Sequence, residues 1–278
     1  MALTAAGIGY EYSAGTEFRQ RALADVSFSV EPGQLVLVIG STGSGKSTLL
    51  RMLAGLLEPS DGTLAIDETP LVPASARGAI GLVFQDAESQ LFAETVLDDV
   101  SFGPRNLGVD ADAIPDVARD ALLAVGLDPV CYEARSPFGL SGGEARRVAI
   151  AGVLAMGPRY LLLDEPTAGL DAMGRRAVRE VVSRARRDAG VVVVSHSAEE
   201  FLGEADTVIM LSGGHVVFCG PAREAMDDLS LFERAGLEAP DVLQVLQGAR
   251  DRGLAIDEFT LDPEAAAAAL RRAGAWSS

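Results

Sequence analysis

Gly40-Ser41-Thr42-Gly43-Ser44-Gly45-Lys46-Ser47-Thr48 stands between the apolar run Leu35-Val36-Leu37-Val38-Ile39 and a helix-periodic segment, Ser47 to Leu57. Strand, glycine-rich loop, helix is the order in which the P-loop pattern G-x-x-x-x-G-K-S/T has physical meaning. The glycines let successive backbone N–H groups curl around phosphate oxygens, and the helix N-terminus adds partial positive charge. Lys46 supplies the full charge: at about 4 Å and an effective dielectric of 20 a unit pair is worth about 4 kcal/mol, more than a single neutral hydrogen bond. Ser47 is the expected Mg²⁺ ligand. Every other basic residue is arginine, so Lys46 is the single lysine of the chain.

Outward from this loop, strand-like and helix-like runs alternate, which predicts an α/β protein with a largely parallel sheet. Further buried strands are expected at Ile80 to Phe84, Tyr160 to Leu163, Val191 to Val194 and Thr207 to Leu211. The first thirty residues differ: Leu3 to Tyr12 and Ala22 to Val30 read as two short strands joined by a polar segment, an antiparallel layer ahead of the main sheet. Between Asp86 and Gly157 the pattern is helical. Residues 221–278 carry eleven acidic and six basic residues with helical pieces, and read as a small C-terminal appendage.

Tyr160-Leu161-Leu162-Leu163-Asp164-Glu165 is an apolar strand that delivers two adjacent carboxylates at its end. Buried strands seldom finish on paired acids without a cation nearby. Asp164 is expected to hold Mg²⁺, directly or through water, and Glu165 to polarise the water that attacks a γ-phosphate. Leu140-Ser141-Gly142-Gly143-Glu144 precedes an amphipathic run to Met156, closed by Gly157-Pro158. Ser141 and Glu144 have the spacing of a capping box, and a capped helix N-terminus is also an anion site.

With this segment twenty residues before Asp164 and almost a hundred after the P-loop, the chain resembles the ATP-binding-cassette ATPases. The resemblance covers residues 1–220. It implies a RecA-like P-loop NTPase core with an N-terminal antiparallel β-subdomain, a helical subdomain at about 86–157 and the appendage at 221–278. It also implies that Ser141, Gly142 and Gly143 dock against the γ-phosphate held by the opposite monomer, so that two subunits sandwich ATP and Mg²⁺ at residues 40–48. Tyr12 is placed like the aromatic that stacks on adenine, although Tyr10 could take that part. Gln85 resembles the Q-loop glutamine that senses Mg²⁺ and the transmembrane partner. Ala168-Gly169-Leu170-Asp171 looks like the D-loop that crosses to the other monomer. His196 resembles the switch histidine on the γ-phosphate. Glu144 departs from the family, which most often has Gln there, and adds a negative charge near that interface.

Within the family, Phe84 to Phe92, Thr95-Val96, Asp98 to Gly108 and Pro166 to Asp171 look like the energy-coupling-factor and cobalt-type importer ATPases. That implies a homo- or heterodimer at the cytoplasmic face of the membrane. Its partners would be a membrane-embedded coupling (T-type) subunit and a substrate-binding membrane subunit. The acids Asp86, Glu88, Glu94, Asp98 and Asp99, with no intervening base and with Leu91, Phe92, Val96 and Leu97 between them, suggest an acidic groove with an apolar floor. A solvated acidic face is the bland alternative. The runner-up function is a soluble ATPase of the same superfamily in DNA repair or translation. Such proteins usually carry long coiled-coil insertions, a second cassette or basic surfaces, which this sequence lacks.

Composition bounds the rest. The 278 residues, 48% of them apolar, suffice for a full core. Forty acids against 23 bases give a net charge of −17, which argues against nucleic acid as a partner. The acidic, lysine-poor balance would suit molar salt, or ordinary acidic solubility with a coding bias. No apolar stretch reaches the ~20 residues of a membrane span, and Met1 to Thr4 shows no leader pattern, so a cytoplasmic location is expected. Cys131 and Cys219 lack metal-ligand spacing and are expected to be small buried hydrophobes.

Overall fold

The protein is described by a computed structural model that covers residues 2–274. The strands are β1 (Leu3–Tyr12), β2 (Gln20–Val30), β3 (Leu35–Gly40), β4 (Asp61–Ile66), β5 (Thr69–Pro70), β6 (Ile80–Val83), β7 (Tyr160–Asp164), β8 (Gly190–Ser195), β9 (Thr207–Ser212) and β10 (His215–Pro221). The helices are α1 (Lys46–Leu53), α2 (Pro73–Ala76), α3 (Val96–Asn106), α4 (Ile114–Ala124), α5 (Pro129–Tyr132), α6 (Gly142–Leu154), α7 (Ala172–Ala185), α8 (Ala222–Asp227), α9 (Ser230–Arg234), α10 (Asp241–Asp251) and α11 (Pro263–Arg272). Two short 3₁₀ turns lie at Ala87–Gln90 and Pro137–Gly139.

The main sheet has the order β10-β9-β3-β8-β7-β6, parallel except for the edge strand β10. Its central strands are covered on both faces, which is why they read as unbroken apolar runs. Leu35, Leu37 and Ile39 point into one core with Leu161, Leu163, Val191 and Val193. Val36 and Val38 point into a second core with Leu162, Val192 and Val194, where α1 and the antiparallel layer pack. That layer is four-stranded, β2-β1-β4-β5, wider than the two strands the sequence suggests. β4 supplies only Leu64 and Ile66 to the core, too short an alternation to announce a strand.

α1 stops at Leu53 rather than Leu57, because Gly55 takes a left-handed φ of +71° and turns the chain out of the helix. From Ala87 to Leu154 every regular element is helical. Beyond β10, the buried Leu231, Phe232, Leu243, Leu246 and Leu270 join the first core rather than forming one of their own. The expected appendage ends at 278, of which 275–278 lie outside the described residues.

The structure corrects the cysteine reading: both thiols are exposed. Cys219 sits on the edge strand β10, whose side chains stay half-open or exposed, and Cys131 lies on the four-residue α5 at the surface.

Candidate nucleotide site

Parallel strands aligned side by side present their carboxyl ends together, and part of the set singled out in the sequence lies there. β3, β8, β7 and β6 are consecutive neighbours, with Ile39 paired to Ser195 and Asp164 to Val194. From that edge emerge the glycine-rich loop, His196, the Asp164-Glu165 pair and Gln85.

The loop ends at Gly45, the residue ahead of α1, with φ +104°; a Cβ there would lie 2.6 Å from the Ala22 carbonyl. Among the described residues no side chain caps α1, and no acid sits in its first turn, so its first N–H groups stay open to an anion. Lys46 is only 8% exposed, and its Nζ donates to the carbonyls of Gly40 at 2.6 Å and Ser41 at 3.0 Å. Burial lowers its pKa, and Glu165 and Asp164 oppose that by attraction. Gly214, in the β9–β10 turn, donates to the Ser44 carbonyl at 3.2 Å and accepts from the Ala24 N–H at 2.8 Å, tying the loop to the antiparallel layer.

A cleft of about 410 Å³ opens over this loop, lined by Tyr12, Gln20, Arg21, Gly43, Lys46 and Thr48 among others. The Tyr12 hydroxyl lies 3.1 Å from Thr48 Oγ1, while Tyr10 packs edge-on against the Tyr12 ring with centroids 4.8 Å apart. Tyr12 lines the cleft and Tyr10 buttresses it. A cleft of similar volume between α4, α6 and α7 has a mainly apolar lining and none of the motif residues.

Asp164 and Glu165 are each 9% exposed. Burial raises both carboxyls above the ordinary range; a Ser47 hydrogen bond opposes this at Asp164, and the His196 contact opposes it at Glu165. Asp164 Oδ1 is buried without a partner among the described residues. An orphaned carboxylate oxygen beside a serine hydroxyl and a phosphate loop is a donor set suited to Mg²⁺, which binds few protein oxygens and completes its shell with phosphate and water. Among the described residues no group of three His, Cys, Asp or Glu forms a self-sufficient metal cage. Glu165 takes φ +47°, a conformation that costs roughly 1 to 3 kcal/mol in a non-glycine residue and is held only where the surroundings dictate it. Its N–H donates to the Val194 carbonyl at 2.9 Å, and Oε2 lies 2.7 Å from His196 Nδ1.

Ser141, Gly142, Gly143 and Asp171 are not part of this cleft. They line a separate groove of about 570 Å³ with Glu144 and Arg147. Ser141 caps α6: its hydroxyl and N–H both donate to Glu144 Oε2 at 2.8 Å, and Glu144 Oε1 accepts from the Tyr132 hydroxyl at 2.6 Å. The charge of Glu144 therefore serves the Tyr132 hydroxyl on α5 first and the Ser141 donors at its own helix start next, and its carboxyl is lowered to about 2. Asp171 caps α7, accepting from the Gly174 N–H at 2.7 Å. Gln85 is exposed and lines neither space; its backbone carbonyl is the group held, by Arg146 at 2.8 Å. Arg146, fully buried on α6, escaped the sequence reading because one arginine among many on an amphipathic helix gives no signal.

The sequence matches the ABC transporter family over residues 23–168. This chain belongs to that family. The energy-coupling factor transporter ATP-binding protein EcfA2 of Symbiobacterium thermophilum is 43% identical over 270 residues, covering 95% of this chain and 93% of the relative. The protein of the same name from Lactiplantibacillus plantarum is 42% identical, covering 97% and 94%. Among solved structures, cbiO1 of Clostridium perfringens, described as part of the ABC transporter complex cbiONQ, superposes with a TM-score of 0.75 at 32% identity, covering 88% of this chain and 98% of that one. The dimeric cassette MJ0796 bound to ADP and Pi gives a TM-score of 0.70 at 27% identity, covering 80% and 99%. Membership makes the chain an ATP-binding ABC ATPase of the transporter type, and the α/β architecture agrees. No described helix is long and apolar enough to cross a membrane.

Proposed function

We propose that this chain hydrolyses ATP as one of two cassettes that power an energy-coupling-factor type importer of a small molecule or metal ion. One observation carries the two-cassette reading: the phosphate cleft and the Ser141 groove are separate surfaces of one chain, sharing no lining residue. A second subunit, identical or related, would set its Ser141, Gly142 and Gly143 opposite the γ-phosphate and cross to it near Asp171.

In this reading residues 1–220 form the ATPase domain, 86–157 its helical subdomain and 221–278 an appendage. Residues Gly40 to Thr48 hold the phosphates, with Lys46 released from the Gly40 and Ser41 carbonyls to meet them. Tyr12 faces the adenine. Ser47, Asp164 and Gln85 would hold Mg²⁺, which neutralises charge on the β- and γ-phosphates when bound. Glu165 orients and polarises the attacking water, and His196 fixes the Glu165 carboxylate from one side while facing the γ-phosphate. The chain would sit at the cytoplasmic face of the membrane on a T-type coupling subunit, beside a substrate-binding membrane subunit. Phe92 and Phe102, exposed to 58% and 46% and packed edge-to-face at 4.8 Å, supply the apolar part of that docking surface.

The deciding experiment is co-purification of the tagged full chain from its host membrane, followed by ATPase and uptake assays on the complex. A chain that hydrolyses ATP but brings down no membrane subunit would count against the importer.

A further inference from the structure

Arg146 projects from α6 into the seam between the helical segment and the main sheet, where it is 4% exposed. Its fork serves four oxygens. Nη1 donates to the carbonyls of Glu165 and Ala168, each at 3.1 Å, and Nη2 to the carbonyl of Gln85 at 2.8 Å and the Glu88 carboxylate at 3.2 Å. Nε is buried with no partner among the described residues. A guanidinium cannot shed its proton, and an apolar side chain of similar volume would fill a seam at no electrostatic penalty. What the guanidinium adds is connection between loops, because its planar fork holds two directions at once.

The carbonyl it grips belongs to the residue with the strained backbone. Glu165 is pinned on both sides, its N–H by β8 and its C=O by Arg146. On the other arm, Gln85 and Glu88 belong to the loop and short turn that follow β6. Among the described residues Glu88 is the acid that forms an ion pair with this buried charge, and its side chain is 48% exposed. Drawing that turn away would remove a carbonyl and a counter-charge from the same nitrogen.

We propose that Arg146 is a positioning residue for hydrolysis, fastening the loop after Gln85 to the backbone of Glu165 so that the Glu165 carboxylate is aimed only while that loop is seated. The inference rests on Glu165 being the residue that polarises the water. It predicts a defect in turnover rather than in nucleotide binding, because among the described residues no hydrogen-bond partner of Arg146 belongs to the phosphate loop or the cleft lining.

The test compares Arg146→Gln, Arg146→Lys and Glu88→Gln, with Glu165→Gln as reference, in the full chain within the assembly it purifies with. Displacement of a catalytic group by about 1 Å costs on the order of 10²-fold, so Arg146→Gln should lower kcat at least ~10-fold with KM for ATP within about 2-fold. Arg146→Lys should recover part of the loss, since an ammonium keeps the charge but not the fork. Glu88→Gln, on a half-exposed turn, should lower kcat in the same sense by roughly 2- to 5-fold. A folded Arg146→Gln protein with natural kcat, or one impaired through KM alone, overturns the proposal. Should that variant not fold, natural kcat in Glu88→Gln overturns it instead. Natural turnover in Glu165→Gln would remove the parent assignment, a result separate from either of these.

Discussion

His196 Nδ1 lies 2.7 Å from Glu165 Oε2, and the two residues follow the ends of neighbouring strands, β8 and β7. The exposed imidazole thus touches one oxygen of a carboxylate that is otherwise nearly closed off from solvent. Glu165→Gln should keep Mg-ATP binding and slow hydrolysis at least ~100-fold, the lower end of what a positioned base contributes. Nucleotide titration and single-turnover hydrolysis separate the two. Undiminished turnover would take Glu165 out of the role. Because burial raises its carboxyl, the acidic limb of kcat should lie above the ordinary value of 4.5, with activity falling as pH drops through that limb.

The same burial affects the fold. Asp164 and Glu165 have folded pKa values above their unfolded ones, so the folded state binds more protons in the window between them. Their contribution to stability is therefore most favourable below the ordinary carboxylate value and declines as pH rises through the raised one. Asp164→Asn should accordingly raise the melting temperature of the nucleotide-free protein at pH 7, while the stabilisation gained on adding Mg-ATP should shrink. A lower melting temperature in the nucleotide-free variant would contradict this account of the orphaned Oδ1.

Glu144 behaves in the opposite way. Its carboxyl is lowered to about 2, so its stabilisation is present above the unfolded value of 4.5 and is lost as pH falls from there toward 2. The full shift would be worth about 3 kcal/mol, and partial exposure reduces that to about 1 to 2. Tyr132→Phe removes the strongest donor and should cost about 1 to 2 kcal/mol at pH 7. Urea melts from pH 7 to pH 3 should show a gap from the natural protein that is flat above pH 4.5 and narrows below it. A gap independent of pH would assign the loss to packing.

Ser141 offers a test of assembly. If it completes a partner's site, specific ATPase activity should rise with protein concentration, and Ser141→Arg should abolish turnover. Loss of the helix cap costs only about 1 kcal/mol, so the variant should still fold. Concentration-independent turnover by a proven monomer would decide against the two-cassette arrangement.

Central strands and the phosphate loop were legible because burial on both faces leaves continuous apolar runs and the loop's glycines leave no alternative. β4 and β10 were not, because most of their side chains are exposed or half-open, which leaves no continuous apolar run to announce a strand. The positions of Asp164 and Glu165 at a strand end, and of Ser141 at a helix start, could be read as local patterns. Arg146 could not, since its meaning lies in two loops distant from it and from each other in sequence. The stretch after Gln85 was read in part: Leu91 and Val96 belong to the core, and Asp99 accepts from the N–H groups of Phe92 and Ala93 at 2.9 and 2.8 Å. An alternating acidic and apolar run carries no mark of which members turn inward.

That distinction changes how docking on a membrane partner should be probed. Reversing charge at Asp99 would release the Phe92–Ala93 turn, and Asp98 accepts from Thr95 Oγ1 at 2.6 Å, so substitutions there mix local structure with any partner contact. Glu94 is exposed and free of such ties among the described residues, and the Phe92–Phe102 pair stands open beside it. An acidic side chain next to exposed aromatic rings suits a basic amphipathic helix. Glu94→Lys combined with Phe92→Ser should therefore reduce co-purification with the membrane subunit and reduce uptake. The isolated chain's ATP affinity should stay within about 2-fold, because two separate sites share only a coupling free energy. If complex formation and uptake both persist, the docking surface lies elsewhere on the chain.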